Sequence, residues 1–143
     1  MTEQVASDTL ANAVDTTVTV GRSVSLTPKE VWRFLVSREG AHALLGDDAE
    51  LGDKGDSWHA ADGTYGVVRS YHPLEQIRVS WHAREGAPKT FVDVHLLPEE
   101  GGTRVEVRHD NIPADCDVAK VTQHWQKALE KVAEASSLAG ATS

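Results

Sequence analysis

The sequence predicts an α+β domain in which a curved antiparallel sheet wraps around one long C-terminal helix. Three observations carry this reading. Runs with two-residue apolar alternation recur from Thr16 to His109, a pair of capped short helices interrupts them after the first run, and the longest apolar stripe at three- and four-residue steps comes last.

The first strand follows from Val18, Val20, Val24 and Leu26 on one parity and Thr17, Thr19, Ser23 and Ser25 on the other. Arg22 breaks that apolar set, which places it at a bulge, at a rim or at a polar spot on the inner face. Thr27-Pro28-Lys29-Glu30 then reads as a helix start. Thr27 is the N-cap, Pro28 occupies the first turn where its missing N–H costs nothing, and Glu30 closes a capping box. Val31, Phe34 and Leu35 form the buried stripe of that helix, and Ser37 to Leu45 forms a second one stopped by Gly46.

Beyond an acidic turn region ending at Asp56, Ser57–Ala60 and Thr64–Tyr71 flank Asp62-Gly63, a hairpin turn signal. Pro73 separates them from Gln76–His82, where Ile77, Val79 and Trp81 share a side. Lys89–Leu97 and Thr103–His109 follow, joined by Pro98-Glu99-Glu100-Gly101-Gly102. In these strands Asp93 and His95 alternate with Val92, Val94 and Leu96 and are expected to face solvent, as are Arg69 and Tyr71 opposite Val68 and Ser70. A one-residue slip would bury Arg69 and Asp93 instead. The last helix is expected over Asp115–Ala139, with Val118, Val121, Trp125, Leu129 and Val132 inward and Lys120, Gln123, Lys127, Glu130, Lys131 and Glu134 outward. Residues 16–139 are read as one domain, 1–15 as a flexible tail and 140–143 as a frayed end.

Composition limits the function. An apolar share of 40% over 143 residues suffices for one core without staples. The net charge of −8, from 22 acidic and 14 basic residues, opposes nucleic acid and anionic membrane surfaces. Arg78, Arg84 and Lys89 are the nearest approach to a basic cluster and read as a solvated strand edge. No apolar run reaches the ~20 residues of a membrane span, and Met1–Asp15 lacks the basic start and apolar stretch of a secretory signal. With a single cysteine, Cys116, no internal disulfide is available, so a cytoplasmic location is expected. Cys116 has no base or orienting group nearby in sequence that would make it a nucleophile.

Several segments, in order, are similar to those of the START-like superfamily, in its group related to the activator of Hsp90 ATPase. They are Asp62-Gly63 with Gly66 and Val68, then Pro73-Leu74-Glu75-Gln76-Ile77-Arg78-Val79-Ser80-Trp81, then Glu100-Gly101-Gly102-Thr103-Arg104-Val105-Glu106-Val107-Arg108-His109, and finally His124-Trp125 followed by Leu129. The resemblance runs from Val18 to Val132. It departs near Leu44 and Leu45, where these proteins often carry a tryptophan, and at His124, where they often carry a glycine. The resemblance implies a helix-grip fold whose sheet and helix enclose an apolar cavity for a lipid-like or aromatic molecule.

Parity then assigns the lining to Phe34, Leu45, Trp58, Val68, Val79, Trp81, Val94, Val107, His109, Trp125 and Leu129. Four tryptophans against two tyrosines and two phenylalanines suit a pocket wall, since indole is large, rigid and carries one donor; a filled core would use the same residues. The seven histidines, His42, His59, His72, His82, His95, His109 and His124, fall on separate elements without helical ligand spacing, so no metal and no cofactor is expected. His109, inward with Val105 and Val107, could bond a ligand or transfer protons, or be a rim histidine satisfied by the backbone.

No catalytic residue is assigned. The leading reading is a binder of a small hydrophobic ligand, as a monomer or weak dimer. The resemblance also implies two alternatives, an enzyme like the polyketide cyclases and dehydratases and a co-chaperone of the Hsp90 type.

Overall fold

The computed structural model describes residues 16–113 and 117–142, with side chains to Ser136. The expectations placed on Met1–Asp15, on Cys116, on a helix start at Asp115 and on Ser143 lie outside the described residues. The elements are β1 (Thr16–Val24), α1 (Pro28–Leu35), α2 (Arg38–Leu45), β2 (Ser57–His59), β3 (Tyr65–His72), β4 (Gln76–Trp81), β5 (Thr90–Glu99), β6 (Gly102–Ile112) and α3 (Val118–Thr142). Helix α3 thus continues through residues 140–142, where a frayed end was expected.

The six strands form one antiparallel sheet in the order β1-β6-β5-β4-β3-β2. Chain-adjacent strands are spatial neighbours from β2 to β6, and β1 closes the far edge against β6. This leaves the two helices after β1 to cross to the opposite edge. Their start is fixed as the sequence expects. The Thr27 hydroxyl accepts from the Glu30 N–H at 3.2 Å, and the Glu30 carboxylate accepts from the Thr27 N–H at 2.9 Å. Ser37 caps α2 in the same manner, accepting from the Gly40 N–H at 3.1 Å, and Gly46 ends it.

The concave face of the sheet presents Val18, Val20, Ile77, Val79, Val92, Val94, Leu96, Val105 and Val107, all buried. Trp125, Ala128, Leu129 and Val132 of α3 complete that core, with Val31, Phe34, Leu35, Leu44 and Leu45 of the short helices. The polar face of α3 is exposed at Lys120, Gln123, Lys127, Glu130, Lys131 and Glu134, but Val118 at its start is exposed as well.

Three features differ from the sequence expectations. The register of β3 on β4 shifts between Val68 and Ser70, so Arg69 is the extra residue of a bulge and parity reverses after it. Tyr71 therefore pairs with Ile77 and turns inward rather than toward solvent; its ring meets Trp32 edge-on at 6.1 Å and its hydroxyl donates to the Gly52 carbonyl at 2.6 Å. Burial, with Asp53 and Asp56 nearby, pushes the Tyr71 phenol above its usual pKa.

Second, Asp93 lies on the outer face as alternation requires, yet it is buried at 4% exposure. It sits on a central strand opposite Arg78 on one side and Arg108 on the other, and these long side chains cover it. Gln76 Nε2 donates to it at 2.8 Å and Arg78 approaches to 3.5 Å while also lying 5.0 Å over the Phe91 ring. Arg78 is thus part of an outer-face polar lattice, not a bare edge. His95, also on this face, is half-buried, whereas Arg22 and Arg69 are exposed.

Third, β5 and β6 extend into the expected loop, and Glu99 pairs with Gly102 across a turn of Glu100 and Gly101. Gly101 supplies the positive φ, 84°, that this tight connection requires. Gly66 pairs with Trp58 in a place no side chain could occupy, because a Cβ there would collide with the Ser80 carbonyl. That carbonyl accepts from Trp58 Nε1 at 3.2 Å, and the Ser80 hydroxyl accepts from the Val67 N–H at 2.8 Å.

Candidate functional site

At one end of the sheet four rings meet: Trp81 at the end of β4, His109 near the end of β6, and His124 and Trp125 on the second turn of α3. Trp81 faces His109 edge-on at 4.8 Å, and lies 5.9 Å from His124 and 6.1 Å from Trp125. Edge-to-face packing of this kind sets the positive ring rim against the negative ring face.

The polar atoms of this cluster divide into two groups. In the first, Trp125 Nε1 donates to His109 Nδ1 at 3.0 Å, His109 Nε2 donates to the Thr90 hydroxyl at 2.7 Å, and Thr90 donates to the Trp81 carbonyl at 2.6 Å. Only one proton arrangement satisfies this row. An indole nitrogen can only donate, so His109 Nδ1 must be the acceptor and its proton must be on Nε2. The imidazole is neutral, and burial above all, then repulsion from His124, lowers its pKa to about 4 against the partial opposition of Asp110. Both nitrogens are occupied by side chains, so His109 is not a rim histidine held by the backbone.

The second group has no partners. Among the described residues the buried nitrogens Trp81 Nε1, His124 Nε2 and His42 Nε2 make no hydrogen bond. A buried donor left in this state costs on the order of 1–3 kcal/mol. Burial also lowers the pKa of His124, partly offset by Asp62.

Two concavities flank the cluster. One, of about 170 Å³, is lined by Trp81, Ala83, Arg84, Ala87, Pro88, Thr90, His109, Ile112, Pro113 and Val121. The other, of about 180 Å³, runs between α2, the β2–β3 turn and α3, and includes Leu45, Gly46, Asp62, His124, Lys127 and Lys131. Of the lining expected from parity, Trp81 and His109 border the first space and Leu45 the second. Phe34, Trp58, Val68, Val79, Val94, Val107, Trp125 and Leu129 are buried within the packed core. Thr90, Pro88 and Ile112 were not singled out by the sequence reading, because they stand at strand ends and in a loop, where alternation gives no signal; Val121 was placed in the inward stripe of α3 but not in the lining. Among the described residues no group of three or more histidine, cysteine or carboxylate side chains is placed to hold a metal ion. No helix among them is long and apolar enough to cross a membrane.

A curved antiparallel sheet gripping a C-terminal helix, with paired short helices after the first strand, defines a START-like protein of the helix-grip fold. Residues 25–136 match the family described as Activator of Hsp90 ATPase homolog 1-like protein, and the chain belongs to that family. Comparison with curated proteins gives no match.

Among solved structures, protein MLL2253 from Mesorhizobium loti is similar at a TM-score of 0.72 and 19% identity, over 83% of this chain and 95% of that one. The Aha1 dimer from Colwellia psychrerythraea is similar at 0.70 and 18% identity, over 84% and 95%. DynU16, a protein of the dynemicin biosynthetic locus, is similar at 0.69 and 20% identity over 82% of this chain, which spans only 46% of DynU16.

Proposed function

We propose that this protein binds a small, largely apolar molecule in the space beside Trp81, without transforming it. The observation that carries the reading is an apolar-walled concavity bordered by Trp81, Pro88, Ile112 and Val121 at the end of the sheet. Its volume, about 170 Å³, sets the size of the occupant. Sites for drug-sized ligands span roughly 300–1,000 Å³, whereas a cavity of about 150 Å³ takes a single benzene. One aromatic ring, or the end of an alkyl chain, fits; a whole lipid does not.

The enzyme alternative depended on a cavity histidine that moves protons. His109 borders the space, but its two nitrogens are engaged by Trp125 and Thr90, which favours binding over catalysis. The family's description and the DynU16 and Aha1 likenesses are compatible with a ligand binder or a partner-binding protein, and no residue geometry on the described surface favours the co-chaperone reading.

Toluene titrated into isotope-labelled protein tests the reading. Burying roughly 150 Å² of ring at ~25 cal/mol per Å² gives about 4 kcal/mol, a Kd of roughly 1 mM. Saturable shifts at Trp81, Ile112 and Val121, abolished in a Val121→Trp variant that fills the space, are expected. Absence of saturable shifts up to the solubility limit of toluene would refute the reading.

A further inference from the structure

The space beside Trp81 holds one charge. Among the described residues that line it, Arg84 alone is ionised at neutral pH, since burial keeps His109 neutral and the Thr90 hydroxyl is engaged on both sides. Arg84 is exposed and makes no ion pair with a described carboxylate. Glu85, its exposed neighbour in the chain, is not among the lining residues.

The backbone fixes this arrangement on two sides. Arg84 stands in a loop that is pinned at three points. The Ala87 N–H donates to the Arg84 carbonyl at 3.0 Å, His82 Nδ1 donates to the Ala87 carbonyl at 2.9 Å, and the His82 ring stacks on Tyr65 at 4.4 Å. The wall at Ile112 depends on an irregularity in β6. Thr16 pairs with Ile112 but Val18 with His109, so β6 carries an extra residue there, and Asn111 takes a left-handed φ of 64°. An unbroken strand would send Ile112 to the face opposite His109; the bulge buries both.

An apolar corner with one cation among its lining residues suits an amphiphilic anion. Burial of the apolar body drives entry, and a carboxylate left beside the exposed Arg84 keeps much of its hydration while gaining a planar, two-pronged partner. The cost of burying an unpaired charge does not arise there. One guanidinium balances one negative charge, which matches a carboxylate better than a doubly charged phosphate. The net charge of −8 repels such a ligand from afar, but salt screens exposed charges beyond ~8 Å, so the adjacent guanidinium outweighs distant acids.

We infer that the molecule bound beside Trp81 is a small carboxylate with a one-ring or short branched apolar body, the body against Trp81, Ile112 and Val121 and the carboxylate paired with Arg84. This rests on the binding reading above and adds the charge of the ligand. Trp81 and its apolar neighbours accept any body of the right size, and Arg84 selects the anion.

The experiment titrates benzoate and benzamide, which share a shape and differ in charge, into wild type and Arg84→Gln, with toluene as the uncharged reference. Benzoate is expected to bind wild type about fivefold more tightly than benzamide, the worth of a charge-assisted pair at an exposed site. The ratio of the two affinities is expected to fall to about one in Arg84→Gln and to stay above one in Arg84→Lys, and added salt should weaken benzoate but not toluene. If toluene binds but wild type does not prefer benzoate, or Arg84→Gln keeps the preference, the inference fails while the binding reading stands. If none of the three compounds binds, both fail.

Discussion

Trp125 Nε1 donates to His109 Nδ1 across the seam between helix and sheet, at 3.0 Å and out of reach of water. One hydrogen bond thereby fixes which nitrogen of the imidazole carries the proton, and through Thr90 it ties α3 to the ends of β6, β5 and β4. Breaking it should be costly on both sides of the seam. His109→Leu is expected to destabilise the fold by roughly 3 kcal/mol, because it strands the indole donor as well as losing two hydrogen bonds. His109→Leu with Trp125→Phe should recover part of that loss, which urea midpoints of the two variants would measure.

The same residue gives the fold a dependence on pH whose sign is determined. His109 has a folded pKa of about 4 against an ordinary 6.5, so between these values the unfolded chain binds the extra proton and the folded one does not. Stability is then complete above pH 6.5 and declines as pH falls toward 4, by roughly 3 kcal/mol from this group. His109→Gln, which can still accept from Trp125 and donate to Thr90 but cannot titrate, should flatten that slope. An equally steep decline in the Gln variant, followed by thermal unfolding across the window, would assign the acid sensitivity elsewhere.

Thr90 is the middle of the row, and its replacement by valine preserves shape while removing a hydroxyl that both accepts and donates. A loss of about 1–3 kcal/mol is expected for Thr90→Val, with Thr90→Ser recovering most of it. Equal destabilisation by both substitutions would mean that the methyl group, not the hydroxyl, matters.

On the outer face, Asp93→Ala should cost about 1–2 kcal/mol, since Gln76 and Arg78 lose their acceptor but Arg78, 40% exposed, can turn to water. The coupling between Asp93→Ala and Gln76→Ala, read from a double-mutant cycle, is expected to exceed that with Arg78→Ala.

Gly66→Ala tests the packing beneath Trp58. The added methyl meets the Ser80 carbonyl and the buried Trp58 indole nitrogen bonded to it, so the β2–β3 hairpin must shift, at a cost of about 1–3 kcal/mol. The Trp58 indole proton, bonded to that carbonyl, should exchange with solvent faster in the variant than in wild type.

Much of the fold was legible because local chemistry decides it. The Thr27–Glu30 box, the Ser37 cap, the Asp62-Gly63 turn and the stripe of Trp125, Leu129 and Val132 each announce themselves within a few residues. What the sequence could not reveal was contact between residues far apart in it. Alternation places His109 inward but is silent on whether a ligand or a side chain awaits it there; Thr90 and Trp125 come from other elements. The lining shows the same limit, because in a domain this small inward mostly means core, and the space beside Trp81 lies where strands end. Asp93 followed its parity and was still buried, since cover came from arginines on two neighbouring strands.

The bulge at Arg69 has a further consequence. Strand β3 is read by the sheet in two frames, one up to Val68 and another from Ser70 onward, much as a message is after an inserted letter. The first frame sends Val68 under the sheet; the second delivers Tyr71 to Trp32 and the Gly52 loop. Deleting Arg69 would merge the frames without changing the pairs: Ser70 would still face Arg78, and Tyr71, opposite Ile77, would keep its place against the tryptophan of α1.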